Sequence, residues 1–456
     1  MDKDLEIIIY TSGSDVRFRS KKSKLLNAFM GRNILDHTVE STKKAFPNKN
    51  LTIIGNRQDI ALYAKQNKMQ YIECQEDSLD WLYVYLKLHI NSNSDFIFIP
   101  GDVPLIKSDS LKTIITRFRN CKNCTLGLMT CDMENSVGYT VIVRKNNGLY
   151  VKKIVSQHEK TSDERNINEI WMGIFCANIK RFYRKVEMIK NKKKFEWTVD
   201  ILQEIINCDT TTIVYKLDKP EEASGIATRF HQTEIGLIMR KNIIEDIQSK
   251  GVYIVEPKST YIESGVLVGI DTIIHPRTVL RGTTNIGSNC IIEEDCTIEN
   301  SRIPDGTRIS RGTQIRNSIP SCFICYSSID KKFARMIADV ISKVGYGVWI
   351  DEGEIRIGDS FFDSIGEALK TIKFLIVILS KNSIQSEWVK KELHIALSRQ
   401  LKERRVIVLP VLVELCEIPI FLQDIKYADF TNEDTFQKDA QTLISDLTKH
   451  LEDLLK

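Results

Sequence analysis

The chain has 456 residues and a mass of 52.4 kDa, and at roughly 100 to 200 residues per domain this length suggests two to four domains. Gly 22 and Pro 10, beside 42% hydrophobic and 27% charged residues, exclude a disordered or collagenous chain. A net charge of +4 spread along the whole length excludes a dedicated nucleic-acid binder. The start, Met1 to Glu6, carries no basic leader, and no run approaches the roughly 18 apolar residues of a membrane span, so a cytoplasmic protein is expected, with no membrane partner. Cysteine agrees: 11 is an odd number in a chain long enough to fold without staples, which makes reduced thiols the expectation. Cys121 and Cys124 have no second pair at zinc-finger spacing, and Cys322 and Cys325 lie in a strand pattern that sends them to opposite faces, so no metal site is expected. The basic cluster Lys190, Lys192, Lys193 and Lys194 reads as a solvated loop.

From Leu5 to about residue 230, short apolar runs such as Glu6–Tyr10, Leu51–Gly55 and Asp95–Pro100 alternate with helix-like stretches, which predicts an α/β layer around a largely parallel sheet. Residues 231–250 read as one connecting helix with Ile235, Ile238, Met239 and Ile243 along a stripe. Over residues 251–318 the period changes to six. Ile262, Val268, Ile274, Leu280, Ile286, Ile292 and Ile298 follow it without a miss, and after one spacing of five Ile303, Ile309 and Ile315 resume it. Neither 3.6 nor 2.0 produces that pattern; a parallel β-helix does, each apolar residue turning inward and stacking on the next coil. Cys290 and Cys296 share the spacing and are expected to stack as a pair of small side chains. After Pro320 the alternation returns, with strand runs at Ser321–Tyr326, Tyr346–Ile350, Phe374–Leu379 and Val406–Leu412 and helical patterns at 330–344, 361–371, 385–400 and 434–453, a complete doubly wound domain over 320–456.

The order of an α/β domain (1–230), a helix (231–250) and a hexapeptide prism (251–318) resembles the bifunctional N-acetylglucosamine-1-phosphate uridyltransferase family. Residue matches extend over about 1–318. Ser12-Gly13-Ser14-Asp15-Val16-Arg17 stands at that family's Gly-x-Gly-Thr-Arg nucleotide loop, Lys24 at its phosphate-binding lysine, and Gly101-Asp102-Val103-Pro104 at its metal-aspartate motif. Gly138-Tyr139, Arg144, Arg165, Ile167, Glu169 and Ile170 match the frame of the sugar pocket. The departures fall where chemistry would occur. Asp15 replaces the loop's second glycine and opposes phosphate, Val16 replaces its threonine, and Gln75 followed by Asp80-Trp81-Leu82 brings bulk to the base pocket. Ser156 and Trp171 stand at the sugar-contacting positions, and Ala227 stands where an asparagine completes the magnesium site. The resemblance therefore implies a nucleotidyltransferase frame with a vestigial site at Gly13, Arg17, Lys24 and Asp102, a short left-handed β-helix without the acetyltransferase, and a trimer formed through that prism. A small-molecule or nucleotide-sugar ligand of the first domain remains an open expectation.

Residues 320–456 resemble a TIR (Toll and interleukin receptor homology) domain of flavodoxin-like fold. Phe323-Ile324-Cys325-Tyr326-Ser327 with Asp330, Phe333 and Ala334 matches the first strand and helix. Val348 to Asp351 followed by Gly358-Asp359-Ser360-Phe361 matches the second strand and its loop, and Phe374–Ser380 with Ser383, Ser386, Trp388 and Glu392 matches the third strand and the helix bearing the catalytic glutamate of NAD-cleaving members. The residues point to the same carboxylate. Trp388, Val389, Leu393, Ala396 and Leu397 form an apolar stripe, and Glu392 lies within it, where a charge is costly without a task. The resemblance implies Glu392 as catalytic residue and Tyr326, Ser327, Asp351, Gly358, Phe361 and Trp388 as contacts to NAD⁺, which is substrate rather than cofactor. The expected protein is a multidomain α/β NAD⁺ glycohydrolase on a trimeric scaffold, assembling through TIR–TIR contacts in a bacterial defence or stress response. Two rivals remain: a TIR module that only assembles, and an active sugar-nucleotide uridylyltransferase regulated by it.

Overall fold

A computed structural model describes residues 4–12, 16–74, 80–89, 94–121, 123–134, 136, 139–145, 150–156, 160–161, 163–189, 198–207, 211–318, 320–350, 372–385 and 406–455. The chain divides into two units, Met1–Met239 and Arg240–Lys456.

In the first unit the apolar runs form strands β1 (Leu5–Tyr10), β2 (Leu51–Gly55), β3 (Gln70–Glu73), β4 (Asp95–Pro100), β5 (Cys124–Asp132), β6 (Val141–Arg144), β7 (Val151–Val155), β8 (Glu169–Asn178) and β9 (Thr211–Lys216). They make a nine-stranded sheet in the order β9-β5-β8-β4-β1-β2-β3, with β6 on β8 and β7 on β6. β1 lies parallel to β2 and β4, pairing Ile7 with Leu51 and Ile9 with Ile99, whereas β8 runs antiparallel to β4 and β5. Because the central strands are covered on both faces they are apolar at nearly every position: Ile7, Ile8 and Ile9 are all fully buried. Helices α1 (Ile34–Ala45), α2 (Gln58–Gln66), α3 (Asp80–His89), α4 (Ser108–Asn120), α5 (Ile179–Ile189) and α6 (Thr198–Asn207) supply the covering layers. One core packs Phe96, Phe175 and Phe182 together, Phe96 meeting Phe182 edge to face at 5.3 Å. Leu82 and Trp171 belong to this core. Leu82 thus packs into the core beneath helix α3, while Gln75 and the Asp80 and Trp81 side chains of that segment lie outside the described residues. Helix α7 (Arg229–Ser249) buries Ile235 and Met239, while Ile238 and Ile243 are only half-buried.

In the second unit α7 ends with Ile244 and Ile247 against the prism core. Short strands from Tyr253–Ile254 to Gln314–Arg316 form three parallel sheets, one per side. Ile273 pairs with Ile291 and Tyr261 with Val279, so a coil takes 18 residues; the spacing of five shortens the next coil to 17, Ile298 pairing with Ile315. Six residues thus make one side, and Cys290 and Cys296 sit on successive sides of one coil rather than stacked on each other. Each is fully buried, its thiol donating to a carbonyl of the following coil: Cys290 Sγ to Pro304 at 3.1 Å and Cys296 Sγ to Ser310 at 3.2 Å. They belong to a second set of inward positions, two before each apolar residue, at which Thr272, Thr278, Thr284 and Thr307 are also fully buried. That period is plain in the sequence once small residues are followed as well as large ones.

The last region forms β10 (Ser321–Cys325), β11 (Gly347–Ile350), β12 (Phe374–Leu379), β13 (Ile407–Leu412) and β14 (Ala428–Asp429), all parallel, in the order β11-β10-β12-β13-β14. Helices α8 (Lys331–Lys343), α9 (Lys381–Gln385) and α10 (Phe436–Leu455) are described beside it. Cys322 and Cys325 fall in the cores on opposite faces of this sheet, as their spacing requires.

Candidate functional sites

In open α/β sheets ligands bind outside the carboxyl ends of the strands, where the connections diverge. Each α/β region has such an edge. In the first unit Thr11 and Ser12 follow β1, and Gly101 and Asp102 follow β4. The Gly101 amide donates to the Tyr10 carbonyl at 2.8 Å, and its carbonyl accepts from the Thr38 hydroxyl at 3.2 Å, which holds the Asp102 turn in place. A Cβ on Gly101 would lie 3.1 Å from Leu35 and 3.2 Å from Leu25, so the turn is packed closely and a side chain there would press on both leucines. Asp102 is bound by a residue 78 positions earlier: the Lys24 ammonium donates to its Oδ2 at 2.7 Å. Ile226 donates its amide to the Asp102 carbonyl at 3.0 Å, and Gly225 before it lies against the Asp102 carboxylate, where a Cβ would stand 3.6 Å from Oδ2. Tyr139 stands near, its phenol pushed up by burial and by the charges of Cys131 and Asp102.

Arg17 is exposed on the loop, and Gly13 lies outside the described residues, as do Asp15, Gln75 and Gly138. The structure thus joins two of the four vestigial-site residues, Lys24 and Asp102, in one ion pair. Farther along the same sheet Arg144 grips Glu169 with two nitrogens, its Nε donating at 2.9 Å, and the Thr130 hydroxyl donates to Glu169 at 2.8 Å. Trp171 turns into the core, and its indole nitrogen donates to the Ile174 carbonyl at 3.0 Å across an irregularity in β8. Among the described residues no cluster of three His, Cys, Asp or Glu side chains is placed to hold a metal ion.

In the last region the order β11-β10-β12-β13-β14 puts the switch point between β10 and β12. Tyr326 follows β10 but is buried in the core with Ile324, Ala334 and Phe430, so its ring is part of the packing. Ser327 is half-buried and its carbonyl accepts from the Asp330 amide at 2.7 Å, closing a turn. Asp330 reaches across the switch point to the end of β12, where its Oδ2 accepts from the Ser380 hydroxyl at 2.7 Å. Ser380 and Ser383 then cap α9 reciprocally: the Ser383 amide donates to Ser380 Oγ at 3.0 Å, and the Ser380 amide donates to Ser383 Oγ at 2.8 Å. Burial pushes the Asp330 carboxyl up and the Glu414 charge adds to it, against the Ser380 hydrogen bond. Glu414, at the end of β13, accepts from Lys381 at 2.8 Å, and that bond pulls its own carboxyl down. Asp351, Gly358, Phe361, Trp388 and Glu392 lie outside the described residues. The residues not singled out from the sequence as site members are Asp330, Ser380, Ser383, Lys381 and Glu414. Ser380 and Ser383 at capping-box spacing after an apolar run were a signal that could have found the turn.

Residues 322–444 match the family model described as TIR domain. The chain is 31% identical over 294 residues to the bifunctional protein GlmU of Clostridioides difficile (strain 630), covering 63% of each chain. It is 27% identical over 291 residues to the bifunctional protein GlmU of Alkaliphilus metalliredigens (strain QYMF), again with 63% of each covered. The chain thus spans 63% of the length of these relatives. A structure of CMP:2-keto-3-deoxy-manno-octonic acid synthetase complexed with CTP aligns over 53% of this chain and 100% of its own, at 12% identity and a TM-score of 0.41. No described helix is long and apolar enough to cross a membrane. The chain therefore joins a GlmU-like region, nucleotidyltransferase frame and hexapeptide β-helix together, to a TIR domain.

Proposed function

We propose that the TIR domain cleaves NAD⁺ and that the GlmU-like region serves as its scaffold. The observation that carries this reading is the TIR match at 322–444, on a sheet whose switch point is held by a built polar turn, Asp330 with Ser380 and Ser383. In the reaction the C–N bond between nicotinamide and ribose breaks, its electron pair leaving with neutral nicotinamide, so no general acid is needed. The ribose is left with oxocarbenium character, and the Glu392 carboxylate stabilises that charge in a site shielded from water. Water then adds to give ADP-ribose and a proton, or an adenine nitrogen adds to give a cyclic product. Ser327, Asp351, Gly358, Phe361 and Trp388 are the proposed surroundings of the substrate, with Tyr326 held in the core beside Ser327.

The first domain is proposed to transfer no uridylyl group. Lys24, which would meet phosphate, is engaged with Asp102, which would meet the metal, and Ala227, next to the Ile226 that binds the Asp102 carbonyl, offers no oxygen ligand. The prism is proposed to hold a trimer, and exposed Tyr253, Leu267 and Ile270 on it give apolar surface to cover. An assembly-only TIR module is the second reading, favoured by exposed Ile329, Leu415 and Ile420 on that domain. A cytoplasmic defence or stress effector is the setting that fits both. Release of nicotinamide from NAD⁺ by the purified full chain, at low and at crowded protein concentration, tests the enzyme reading. A chain that assembles and releases none overturns it in favour of the assembly module.

A further inference from the structure

The passage from the prism into the TIR domain has hydrogen bonds on both sides of a single residue. Before it, the Ser318 amide donates to Ser301 Oγ at 3.0 Å and its carbonyl accepts from the Arg302 amide at 2.9 Å. After it, the Pro320 carbonyl accepts from the Gly347 amide at 2.9 Å, already within the TIR sheet. The two bodies also touch directly. The Asp305 amide, on the prism's last full turn, donates to the Val344 carbonyl at 3.1 Å, and the Arg308 amide donates to Glu452 Oε1 on helix α10 at 2.7 Å. Between these bonds Gly345 takes φ +103°, and a Cβ there would stand 3.3 Å from Pro304 Cα, a backbone approach that a glycine permits. Tyr346, next to it, is 1% exposed.

The Asp305 and Arg308 amides are those that a further coil would have engaged had the repeat continued. We infer that the TIR domain is the end cap of the prism: the last coil is an intrachain docking surface whose occupant is the Val344–Gly347 turn with the carboxyl end of α10, and the prism thereby fixes the direction in which the TIR crevice faces. The cap itself stands on geometry alone. Its consequence for activity rests on the NAD⁺-cleaving reading above.

The test is amide hydrogen exchange on the full chain together with nicotinamide release. In the wild type, Asp305 and Arg308 exchange slowly, in the range of Gly287, whose amide donates to Ile303 inside the prism at 2.8 Å. Glu452→Lys is expected to speed exchange at both by about tenfold or more, leaving Gly269 and Gly287 unchanged. Glu452→Ala, which removes the acceptor without adding a charge, is the parallel variant should the lysine prevent folding, and Glu452→Gln, which keeps an acceptor, is expected to restore protection. Nicotinamide release is expected to fall at least about threefold in Glu452→Lys and to persist in Glu452→Gln. Unprotected Asp305 and Arg308 in the wild type, or exchange unchanged in both Glu452→Lys and Glu452→Ala, overturns the cap. Protection lost with nicotinamide release unchanged overturns its orienting role. A wild type that protects both amides but releases no nicotinamide fails the enzyme reading and leaves the cap standing.

Discussion

Two sheet edges in this protein have the same architecture and opposite electrostatics. At the end of β1 and β4 an aspartate is met by a lysine, Asp102 by Lys24, and the two charges satisfy each other. At the end of β10 and β12 the aspartate is met by a neutral hydroxyl, Asp330 by Ser380, and burial with the Glu414 charge leaves that carboxyl raised. A site whose charges are already paired must break that pair before it can take a metal or a phosphate. A site organised by hydroxyls keeps its shape without consuming the charge a substrate would use. The difference teaches where to expect chemistry, and it can be attacked from both sides.

The largest effect is expected at Glu392. If its charge supplies about 3 to 5 kcal/mol to the transition state, Glu392→Gln lowers nicotinamide release by roughly 10² to 10⁴ with an unchanged melting temperature. Wild-type release by this variant would remove the assigned role. On the other edge, UTP and N-acetylglucosamine 1-phosphate with magnesium are expected to yield no pyrophosphate, and turnover at about 1 per second or faster would erase the contrast. Next in size is the polar turn. Asp330→Ala and Ser380→Ala are each expected to lower NAD⁺ cleavage about tenfold, and the double variant no further than Ser380→Ala, because Asp330→Ala removes only the bond the two share while Ser380→Ala also removes the acceptor of the Ser383 amide. Additive losses would mean that the two side chains act separately.

The smallest effect is one of sign with pH. In the first domain the Lys153 hydrogen bond, with the Thr161 amide, holds the Glu164 carboxyl at about 2, below its ordinary 4.5. That contribution to stability is complete above the ordinary value and is lost as the pH falls from there toward 2. Asp330 is shifted the other way, so its contribution is complete below the ordinary value of 3.8 and is lost as the pH rises through the raised one. Melting curves of Glu164→Gln and Asp330→Asn against the wild type check this. The wild type should lose its advantage over the first on acidification and improve relative to the second.

The prism was the most legible part of the chain, because a coil that closes every 18 residues repeats its inward positions at multiples of six. Following apolar residues alone nevertheless missed the small inward residues Thr272, Thr278 and Thr284, one on each side of a single coil and all fully buried. The α/β regions were legible as alternation, and the buried Cys322 and Cys325 fell on opposite faces as their spacing dictates. What sequence could not supply was partnership at a distance. Nothing local to Lys24 says that it meets Asp102, and nothing near Arg308 announces Glu452, because those pairings exist only after the chain has turned back on itself. Asp330 was visible as a motif residue; that it ties two strand ends together came from its partner, 50 positions later.

The 18-residue coil has a geometric corollary for the variation such a chain can tolerate. Inserting one whole coil would lift everything after it by about one strand spacing, roughly 4.8 Å, without turning it. Inserting a single six-residue side would instead rotate everything after it by about a third of a revolution. Length and azimuth are thus encoded separately, in coils and in sides. The shortened coil, 17 residues where Ile298 meets Ile315, closes a full revolution and so changes neither phase nor count. With the TIR domain seated on the last coil, the repeat number works as a vernier, and a six-residue edit would re-aim that domain while leaving every residue within it unaltered.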